Sequence, residues 1–482
     1  MRNLILSLGL LGLFACGDSK PASTEPDAAV DVDAPIDVSV APLGDILDEL
    51  RMVPGLTVEE RTTMTPGYRF FVMEYDQPVD HQNPAGARFK QRITLMHRDY
   101  AAPVVAYNSG YFVSTRGSRS QVTQLVEGNQ LSMEYRFFLP SRPDPADWSK
   151  LNIEQAANDQ HRITQALKVR IYRDSKWLTT GASKGGMTSL FHRRFFPNDV
   201  DGTVALVAPF DYPADAVASP TNRYFAFLEQ VGTDPACRQK LKDFQNIVLA
   251  RRAAMQTRML ASDATFTEIL GQDKALEFAV EEMPFIFWQY GAQSRCAAIP
   301  GAAANDDDVY KFLDDTVGMS AYGDVDLLDF LPYYHQSATQ LGYPAADESY
   351  LVGLMYPGAD TALAYVPAGI PTPAYDNGAA MHDVQDWIAT SGSQILLIYG
   401  QNDPWTAGAV SLGAATDSFK FISPNGNHGS SIGTLAQADQ SVAVAAVLRW
   451  AGVPAANAVA RHRLDTTEPT TEQLELERRH RR

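Results

Sequence analysis

The sequence predicts an α/β protein in which a mostly parallel sheet is covered by helices on both faces. Short apolar runs of strand length alternate with longer segments whose apolar residues recur at helical spacing. This alternation stops at about residue 211 and resumes near residue 394, and a helix-rich stretch lies between. Because 45% of the 482 residues are hydrophobic, the chain can form a substantial core.

The first strands are indicated by period-two alternation of apolar and polar residues. Residues 68–75 and 88–96 both show it, and the turn-rich segment 78–86 joins them, so we expect an antiparallel pair. Residues 102–107 form a mostly apolar run, which is typical of a strand buried on both faces. That strand leads into a loop at residues 108–111.

A regular succession of helix and strand follows. Apolar positions at helical spacing predict a helix over residues 153–167, and aromatic and β-branched residues predict a strand over 176–180. The next helix, residues 186–196, is stopped by Pro197, and residues 202–209 predict another central strand. This order is that of parallel strands joined by crossover helices.

The second half of the chain contains a large insertion. Residues 212–385 are largely helical in pattern and rich in Met, Phe, Trp and Tyr, whereas buried strands are predicted again at 394–400 and 419–422. A last helix is expected at 437–450. We therefore predict three parts between the two ends of the chain: core segments at residues 43–210 and 386–460, and a helical cap at residues 211–385 inserted between the sixth and seventh strands of the core.

The N-terminus has the features of a bacterial lipoprotein signal. Arg2 precedes a short apolar run that ends at Cys16, and the run is too short to span a membrane. We predict a signal peptide at residues 1–16, lipidation of Cys16 and a disordered acidic tether at 17–42, so the protein is expected outside the cytoplasm, anchored to a membrane or secreted. The alternative is an ordinary signal peptide with a spare cysteine. The tail, residues 461–482, is charged.

Cysteine usage and charge restrict the chemistry further. If Cys16 is lipidated, Cys237 and Cys296 remain as a pair in an oxidising compartment, and we predict a disulfide between them that stabilises the fold by roughly 3–5 kcal/mol. The alternative is two unpaired buried thiols. The net charge of −17 argues against a nucleic-acid partner. No metal-ligand spacing, phosphate loop or dinucleotide motif is present in the sequence, so we expect no metal or cofactor.

The motif that carries the most chemical information is Gly181-Ala182-Ser183-Lys184-Gly185. It fits the pattern G-x-S-x-G and lies between a predicted strand and a predicted helix. A serine on such a turn projects away from the backbone, and the flanking glycines allow the strand and helix to approach closely. Because this motif is typical of α/β-hydrolases, we predict that the α/β fold is an α/β-hydrolase core. The alternative is a tight turn whose serine caps a helix.

Two further residues lie where this fold places the partners of a nucleophilic serine. Asp403 follows the strand at residues 394–400, and His428 follows the strand at 419–422, in the chain order Ser…Asp…His. We therefore predict Ser183, His428 and Asp403 as nucleophile, general base and base-orienting acid. Asp403 alone is equally compatible with an Asp-Pro turn.

An oxyanion hole requires two donors close to the serine. We expect the amide of Lys184, directly after the nucleophile, and an amide of Gly110 or Tyr111, in the loop after the third core strand. The Lys184 side chain is expected to be solvated at the start of its helix.

At this point four segments resemble a known family when they are taken together. They begin with Gln77-Pro78-Val79-Asp80-His81-Gln82-Asn83-Pro84 and continue with Phe89-Lys90-Gln91-Arg92, Glu134-Tyr135-Arg136-Phe137-Phe138 and the stretch from Thr180 to Thr188. In this order they resemble the secreted bacterial tripeptidyl aminopeptidases, the thirty-seventh serine-peptidase family, which is similar to the prolylcarboxypeptidase and dipeptidyl-peptidase II group. The match runs from about residue 68 to 450.

The resemblance implies an exopeptidase that acts on peptide substrates. Such enzymes remove short peptides, typically tripeptides, from a free N-terminus, often with proline at the cleaved bond. The resemblance also implies that Glu134 anchors the substrate ammonium, with Arg136 in the same substrate-binding motif. The alternative is that Glu134 and Arg136 form a structural ion pair near the sheet.

Two other functions remain open from the sequence, an esterase or lipase on the same fold and a non-catalytic surface lipoprotein. An ammonium anchor favours the peptidase, because a lipase has no use for one. The aromatic run at residues 284–290 lies in the predicted cap. We favour cap core for this run over an apolar slot for proline.

Overall fold

A nine-stranded sheet lies at the centre of the computed structural model, which describes residues 44–454. The predicted signal peptide, tether and charged tail fall outside the described residues. From edge to edge the strand order is β1-β2-β3-β5-β4-β6-β7-β8-β9. The strands are β1 (Leu56–Arg61), β2 (Arg69–Pro78), β3 (Arg88–His97), β4 (Val104–Asn108), β5 (Asn129–Met133), β6 (Trp177–Ala182), β7 (Gly202–Leu206), β8 (Ile395–Gly400) and β9 (Phe419–Ser423).

The sheet changes from antiparallel to parallel across its width. β1, β2, β3 and β5 pair antiparallel with one another, whereas every pair from β5 and β4 through to β9 is parallel. Every residue of β4, β7 and β8 is buried, as expected for parallel strands that are covered on both faces. The predicted α/β class is confirmed.

Twelve α-helices occur within residues 44–454, and those outside the cap pack against the sheet. The helices are α1 (Ile46–Arg51), α2 (Gln121–Val126), α3 (Ile153–Arg170), α4 (Lys184–Phe195), α5 (Arg223–Leu228), α6 (Pro235–Ala250), α7 (Arg252–Met259), α8 (Gly271–Tyr290), α9 (Asp306–Val317), α10 (Asp324–Gln336), α11 (Ala379–Ser391) and α12 (Gln437–Trp450).

The two faces of the sheet pack on different helices because successive strand residues point to opposite sides. Val204 and Leu396 lie in one hydrophobic cluster with α2 and α12. Ala205 and Leu397, the next residues along β7 and β8, lie in another cluster with α4 and α11. α1 and α3 cover the sheet nearer its antiparallel edge.

Helices α5 to α10 all lie between β7 and β8, within the cap. They have a hydrophobic core of their own, which includes Phe278, Phe287 and Trp288 of α8. The next helix, α11, begins at Ala379 and packs Met381 and Val384 against the sheet cluster. The helix that covers the core therefore starts before residue 385, where the sequence predicts the cap to end.

A disulfide connects two parts of the cap, as predicted. Cys237 near the start of α6 is bonded to Cys296 in the 3₁₀ turn Gln293–Ala298, and their Cα atoms are 5.3 Å apart. The bond thus fixes the start of α6 close to the segment that leaves α8.

Neither a membrane-spanning helix nor a metal cluster occurs in residues 44–454. No helix in this range has the length and hydropathy needed to cross a membrane. Within the same range, no group of three or more His, Cys, Asp or Glu side chains is arranged to bind a metal ion.

Candidate active site

Ser183 lies on a sharp turn between β6 and α4. Its backbone has φ +56° and ψ −128°, a conformation that is costly for a residue with a side chain. The neighbouring glycines make the turn possible. A Cβ atom at Gly181 or Gly185 would lie 2.4 Å and 2.2 Å, respectively, from the carbonyl oxygen of Asn108 in β4. The turn therefore needs glycine at both positions, and it projects the Ser183 side chain from the carboxyl end of the sheet.

Asp403 and His428 form a hydrogen-bonded pair at the same end of the sheet. The distance from His428 Nδ1 to Asp403 Oδ2 is 2.7 Å, and both residues are buried. Asp403 Oδ1 also accepts a hydrogen bond from the Trp405 amide. The Asp403 carboxylate accepts a hydrogen bond from Nδ1–H. The proton of a neutral His428 therefore lies on Nδ1, and Nε2 is left as a base.

His428 Nε2 has no hydrogen-bond partner among the described residues. Its ring lies against Tyr290 and Trp405, with centroid distances of 5.9 and 6.4 Å. Tyr290, Trp405 and Ser183 line the same cavity. The structure therefore brings the predicted histidine and aspartate together and places Ser183 on a cavity whose wall the histidine supports.

The loops that carry Asp403 and His428 are connected to each other and to the cap. The Asn402 amide donates to the Gly426 carbonyl at 2.7 Å, which joins the two loops. The His428 amide donates to the Gln289 carbonyl at the end of α8, at 2.9 Å. The position of His428 therefore depends on a cap helix as well as on the core.

The loop expected to form the oxyanion hole lies directly against the elbow. Gly110 has φ +74°, and a Cβ atom there would be 2.5 Å from the Gly185 amide nitrogen. The Tyr111 amide donates to Ser109 Oγ at 2.9 Å. Gly110 therefore lies directly against the backbone of Lys184 and Gly185, whereas the Tyr111 amide is hydrogen-bonded to a side chain of its own loop.

The expectation of a solvated Lys184 side chain is wrong. Lys184 is 2% exposed. Its Nζ donates to the Gly110 carbonyl at 2.9 Å and lies 3.1 Å from the centre of the Tyr135 ring. The ammonium therefore ties the Gly110 loop to α4 through its carbonyl and makes a cation–π contact with Tyr135, instead of facing solvent.

Glu134 is buried just beyond β5, and it does not line the cavity that contains Ser183. It accepts hydrogen bonds from the Val113 amide at 3.0 Å and from Ser141 Oγ at 2.8 Å, and Arg92 is 3.5 Å away. Burial raises the pKa of Glu134 to about 7. Its role as an ammonium anchor stays a prediction, and its surroundings in this structure are those of a buried structural carboxyl.

Arg136 likewise lies away from that cavity and is fully buried. Its guanidinium makes two 2.7 Å bonds to Asp159 on α3. It also donates to the carbonyl oxygens of Val79 and Lys150. The geometry therefore supports neither a substrate contact for Arg136 nor the alternative ion pair with Glu134, because each group has other partners.

The cavity beside Ser183 has a volume of about 340 Å³ and lies between core and cap. This is within the size range of small-ligand sites. In the aromatic run of α8, Phe287 is fully buried in the cap core, whereas Phe285 and Tyr290 line the cavity. The run therefore contributes to both the cap core and the cavity wall, and its use as a slot for proline stays a prediction.

One residue in the cavity wall was not singled out from the sequence. Glu281 lies on α8, is 6% exposed, and neither of its carboxylate oxygens has a hydrogen-bond partner within residues 44–454. The signal in the sequence is a pair of glutamates at 281 and 282 within an apolar stretch of this helix, between Ala279-Val280 and Met283. A charge at a core-facing position of such a helix is unusual and points to a specific partner or ligand.

The sheet order, the serine elbow and the Asp-His pair together define an α/β-hydrolase. The chain belongs to the PS-10 peptidase S37 family, whose model matches residues 41–481. It is similar to the prolyl tri/tetrapeptidyl aminopeptidase of Streptomyces mobaraensis, with 44% identity over 462 residues that cover 94% of this chain and 92% of the relative. The protein is therefore a serine peptidase.

Solved structures with remote similarity include proline iminopeptidase from Mycobacterium smegmatis and VinJ. The first has a TM-score of 0.34 and 11% identity, and the match covers 81% of this chain and 98% of that one. VinJ has a TM-score of 0.36 and 11% identity, with coverage of 82% and 99%.

Proposed function

We propose that this peptidase releases tri- or tetrapeptides from the free N-termini of peptides outside the cytoplasm. The observation that carries the proposal is the pairing of His428 with Asp403 beside the cavity that contains the strained Ser183 turn. Two further facts support the length of the product. They are membership of the S37 family and similarity to a relative named for tri- and tetrapeptidyl release.

The reaction proceeds through an acyl-enzyme. Ser183 Oγ attacks the carbonyl carbon of the cleaved bond while His428 Nε2 takes the hydroxyl proton, and Asp403 stabilises the imidazolium. The tetrahedral oxyanion accepts a hydrogen bond from the Lys184 amide, with Gly110 as the second donor. When the C–N bond breaks, His428 returns its proton to the departing amine.

Water then completes the cycle. His428 Nε2 removes a proton from water as the hydroxide attacks the ester carbonyl of the acyl-Ser183. Collapse of the second tetrahedral intermediate breaks the bond to Oγ, and His428 gives the proton back to Ser183. The released product carries the original N-terminus and a new carboxylate.

A preference for proline next to the cleaved bond fits an aromatic corner of the cavity. Trp405 lies 4.9 Å from Phe285 and 5.9 Å from Tyr224, measured between ring centroids. All three residues line the cavity with Ser183. A pyrrolidine ring packs well on such faces because it is apolar, compact and rigid.

We also propose that the protein is exported and lipid-anchored at Cys16. The short apolar N-terminal run and the disulfide between the other two cysteines, Cys237 and Cys296, support this location. A Cys16→Ser variant should move from the detergent-soluble membrane fraction to the aqueous fraction, and unchanged partition would refute the anchor.

The decisive test compares free and N-acetylated Xaa-Xaa-Pro anilides. We expect rapid hydrolysis of the free peptide, at least about 100-fold slower hydrolysis of the acetylated one, and loss of both activities in Ser183→Ala by several powers of ten. Equal hydrolysis of the two substrates would favour the esterase alternative. Full activity of Ser183→Ala would contradict the assigned chemistry.

A further inference from the structure

We propose that Glu281 in the cap binds the α-ammonium group of the peptide substrate and so makes the enzyme an aminopeptidase. The inference rests on the proposed function and names a recognition residue for it. It assigns the ammonium to a different place from Glu134. Three features of the cavity support it: the partners of its carboxylates, the direction of its cations and the distance along α8.

Glu281 is the carboxylate in this part of the cavity that lacks hydrogen-bond donors. Neither Oε atom has a partner among the described residues, although the residue is only 6% exposed. Its neighbour Glu282 accepts from the hydroxyls of Tyr322 and Tyr343. A buried carboxyl without hydrogen-bond donors is unfavourable, so a cationic ligand that supplies such donors would be stabilised here.

The surroundings of Glu281 strengthen the attraction for a cation. Burial first, and then the charges of nearby acidic groups, raise the pKa of Glu281 to about 10; in order of their effect these groups are Asp360, Glu348, Glu277 and Glu282. A bound ammonium favours the ionised carboxylate and contributes three N–H donors. An anionic or purely apolar ligand would gain nothing from this group.

The cations that line the cavity are directed to other partners. Lys242 pairs with Glu229, and Arg238 donates to the Val231 carbonyl at 2.8 Å. The Lys184 ammonium lies on the Gly110 carbonyl and the Tyr135 ring. Within residues 44–454 none of these groups donates to the Glu281 carboxylate, which leaves that carboxylate for the ligand.

The distance along α8 fits a short peptide. Gln289, whose carbonyl accepts from the His428 amide, lies eight residues after Glu281 on the same helix. Eight residues correspond to a rise of about 12 Å. An extended chain spans about 3.3–3.6 Å per residue, so three residues cover about 10 Å and four about 14 Å. A peptide anchored at Glu281 thus presents its third or fourth carbonyl near the histidine.

The experiment compares Glu281→Gln with the unmodified enzyme on two substrates. One is a free Xaa-Xaa-Pro anilide, and the other is p-nitrophenyl acetate, which is too short to extend from Ser183 to Glu281. We expect kcat/KM for the peptide to fall about 100-fold, mainly through KM, as for removal of one partner from a buried charge pair. Hydrolysis of the acetate ester should stay within about threefold of the unmodified enzyme.

Two matched variants control for charge and for the competing site. Glu229→Gln removes an exposed carboxylate from the same cavity, and peptide hydrolysis should change by less than about threefold. Glu134→Gln tests the alternative anchor. The proposal is overturned if Glu281→Gln leaves the KM for the peptide unchanged. It is also overturned if Glu134→Gln, and not Glu281→Gln, raises the KM for the peptide while ester hydrolysis persists.

A measurement on the unmodified enzyme covers the case in which Glu281→Gln does not fold. n-Butylammonium should inhibit hydrolysis of the free peptide competitively, whereas n-butanol at the same concentration should not. Equal inhibition by both compounds would contradict an ammonium site. Failure of the proposed function is distinguishable, because then the unmodified enzyme would hydrolyse the free and the N-acetylated peptide equally, whichever residue stands at position 281.

Discussion

Ser183 shows how local sequence dictates the backbone at a functional residue. A serine at φ +56° is strained, and it persists because Gly181 and Gly185 allow β4, β6 and α4 to approach within contact. Since the glycines are close in sequence, the elbow is predictable from five residues. Replacing either glycine with alanine requires a backbone shift, because the nearest obstacle is a main-chain oxygen.

In the proposed mechanism Asp403 acts through His428, which gives a specific prediction for Asp403→Asn. The amide can donate to Nδ1 and thereby stabilise the wrong tautomer, with the proton on Nε2. We expect kcat for the free peptide to fall about 10⁴-fold with little change in KM. The matched control is Asp383→Asn, which removes an exposed carboxylate paired with Arg194 and should leave kcat unchanged within about twofold. A comparable loss in both variants would contradict the assigned role.

Residues whose role depends on distant packing could not be predicted. Lys184 directly follows the nucleophile in the motif, but its burial depends on Tyr135 and on the Gly110 loop, which come from other strands. Glu281 lacks partners only because of how the cap helices meet. Sequence spacing specifies neighbours along one element and carries little information about contacts between elements.

At the scale of elements, the strongly patterned segments were predicted well. Strands β2, β3, β6, β8 and β9 and helices α3 and α12 lie within a few residues of their predicted positions. The edge strand β1 was not predicted, because most of its residues are exposed and its sequence, LTVEER, has only a short apolar part. The beginning of α11 before residue 385 was missed because a helix can cover a sheet or a cap with the same apolar spacing.

The buried Glu281 of α8 leads to a prediction about how the stability of the protein depends on pH. With its pKa raised to about 10, Glu281 stays protonated in the free folded protein while an unfolded glutamate ionises near pH 4.5. Between these values the folded state binds one more proton than the unfolded state, so this group makes stability fall as pH rises. Glu281→Gln removes this dependence.

The measurement is the free energy of unfolding of both proteins from about pH 4 to about pH 9 in urea. We expect the free energy of unfolding of Glu281→Gln to be similar to that of the unmodified protein at the acidic end. At the alkaline end it should be higher by at least about 1 kcal/mol. Glu229→Gln changes an exposed carboxylate, so its free energy of unfolding should vary with pH in the same way as that of the unmodified protein. Parallel curves for Glu281→Gln would mean that this carboxyl is not raised in pKa.

For the whole molecule, the core and the cap contribute different parts of the site. The core supplies the elbow and the Asp-His pair, and α8 of the cap supplies the Gln289 carbonyl that receives the His428 amide. The same helix carries Glu281, Phe285 and Tyr290 in the cavity wall. In the proposed function, catalysis and substrate length are therefore linked through one helix. The segment that follows the C-terminal end of that helix is fixed by the Cys237–Cys296 disulfide.

In the proposed function, the bond that Ser183 cleaves is set by its distance from a free N-terminus. The most direct measurement is mass spectrometry of the products from a set of ten-residue peptides, each with proline at position three or four, and from their N-acetylated counterparts. We expect intact tri- and tetrapeptides from the free set, with complementary C-terminal fragments, and no fragments from the acetylated set. Cleavage at bonds other than the third or fourth from the N-terminus, or the same fragments from both sets, would contradict release from a free N-terminus.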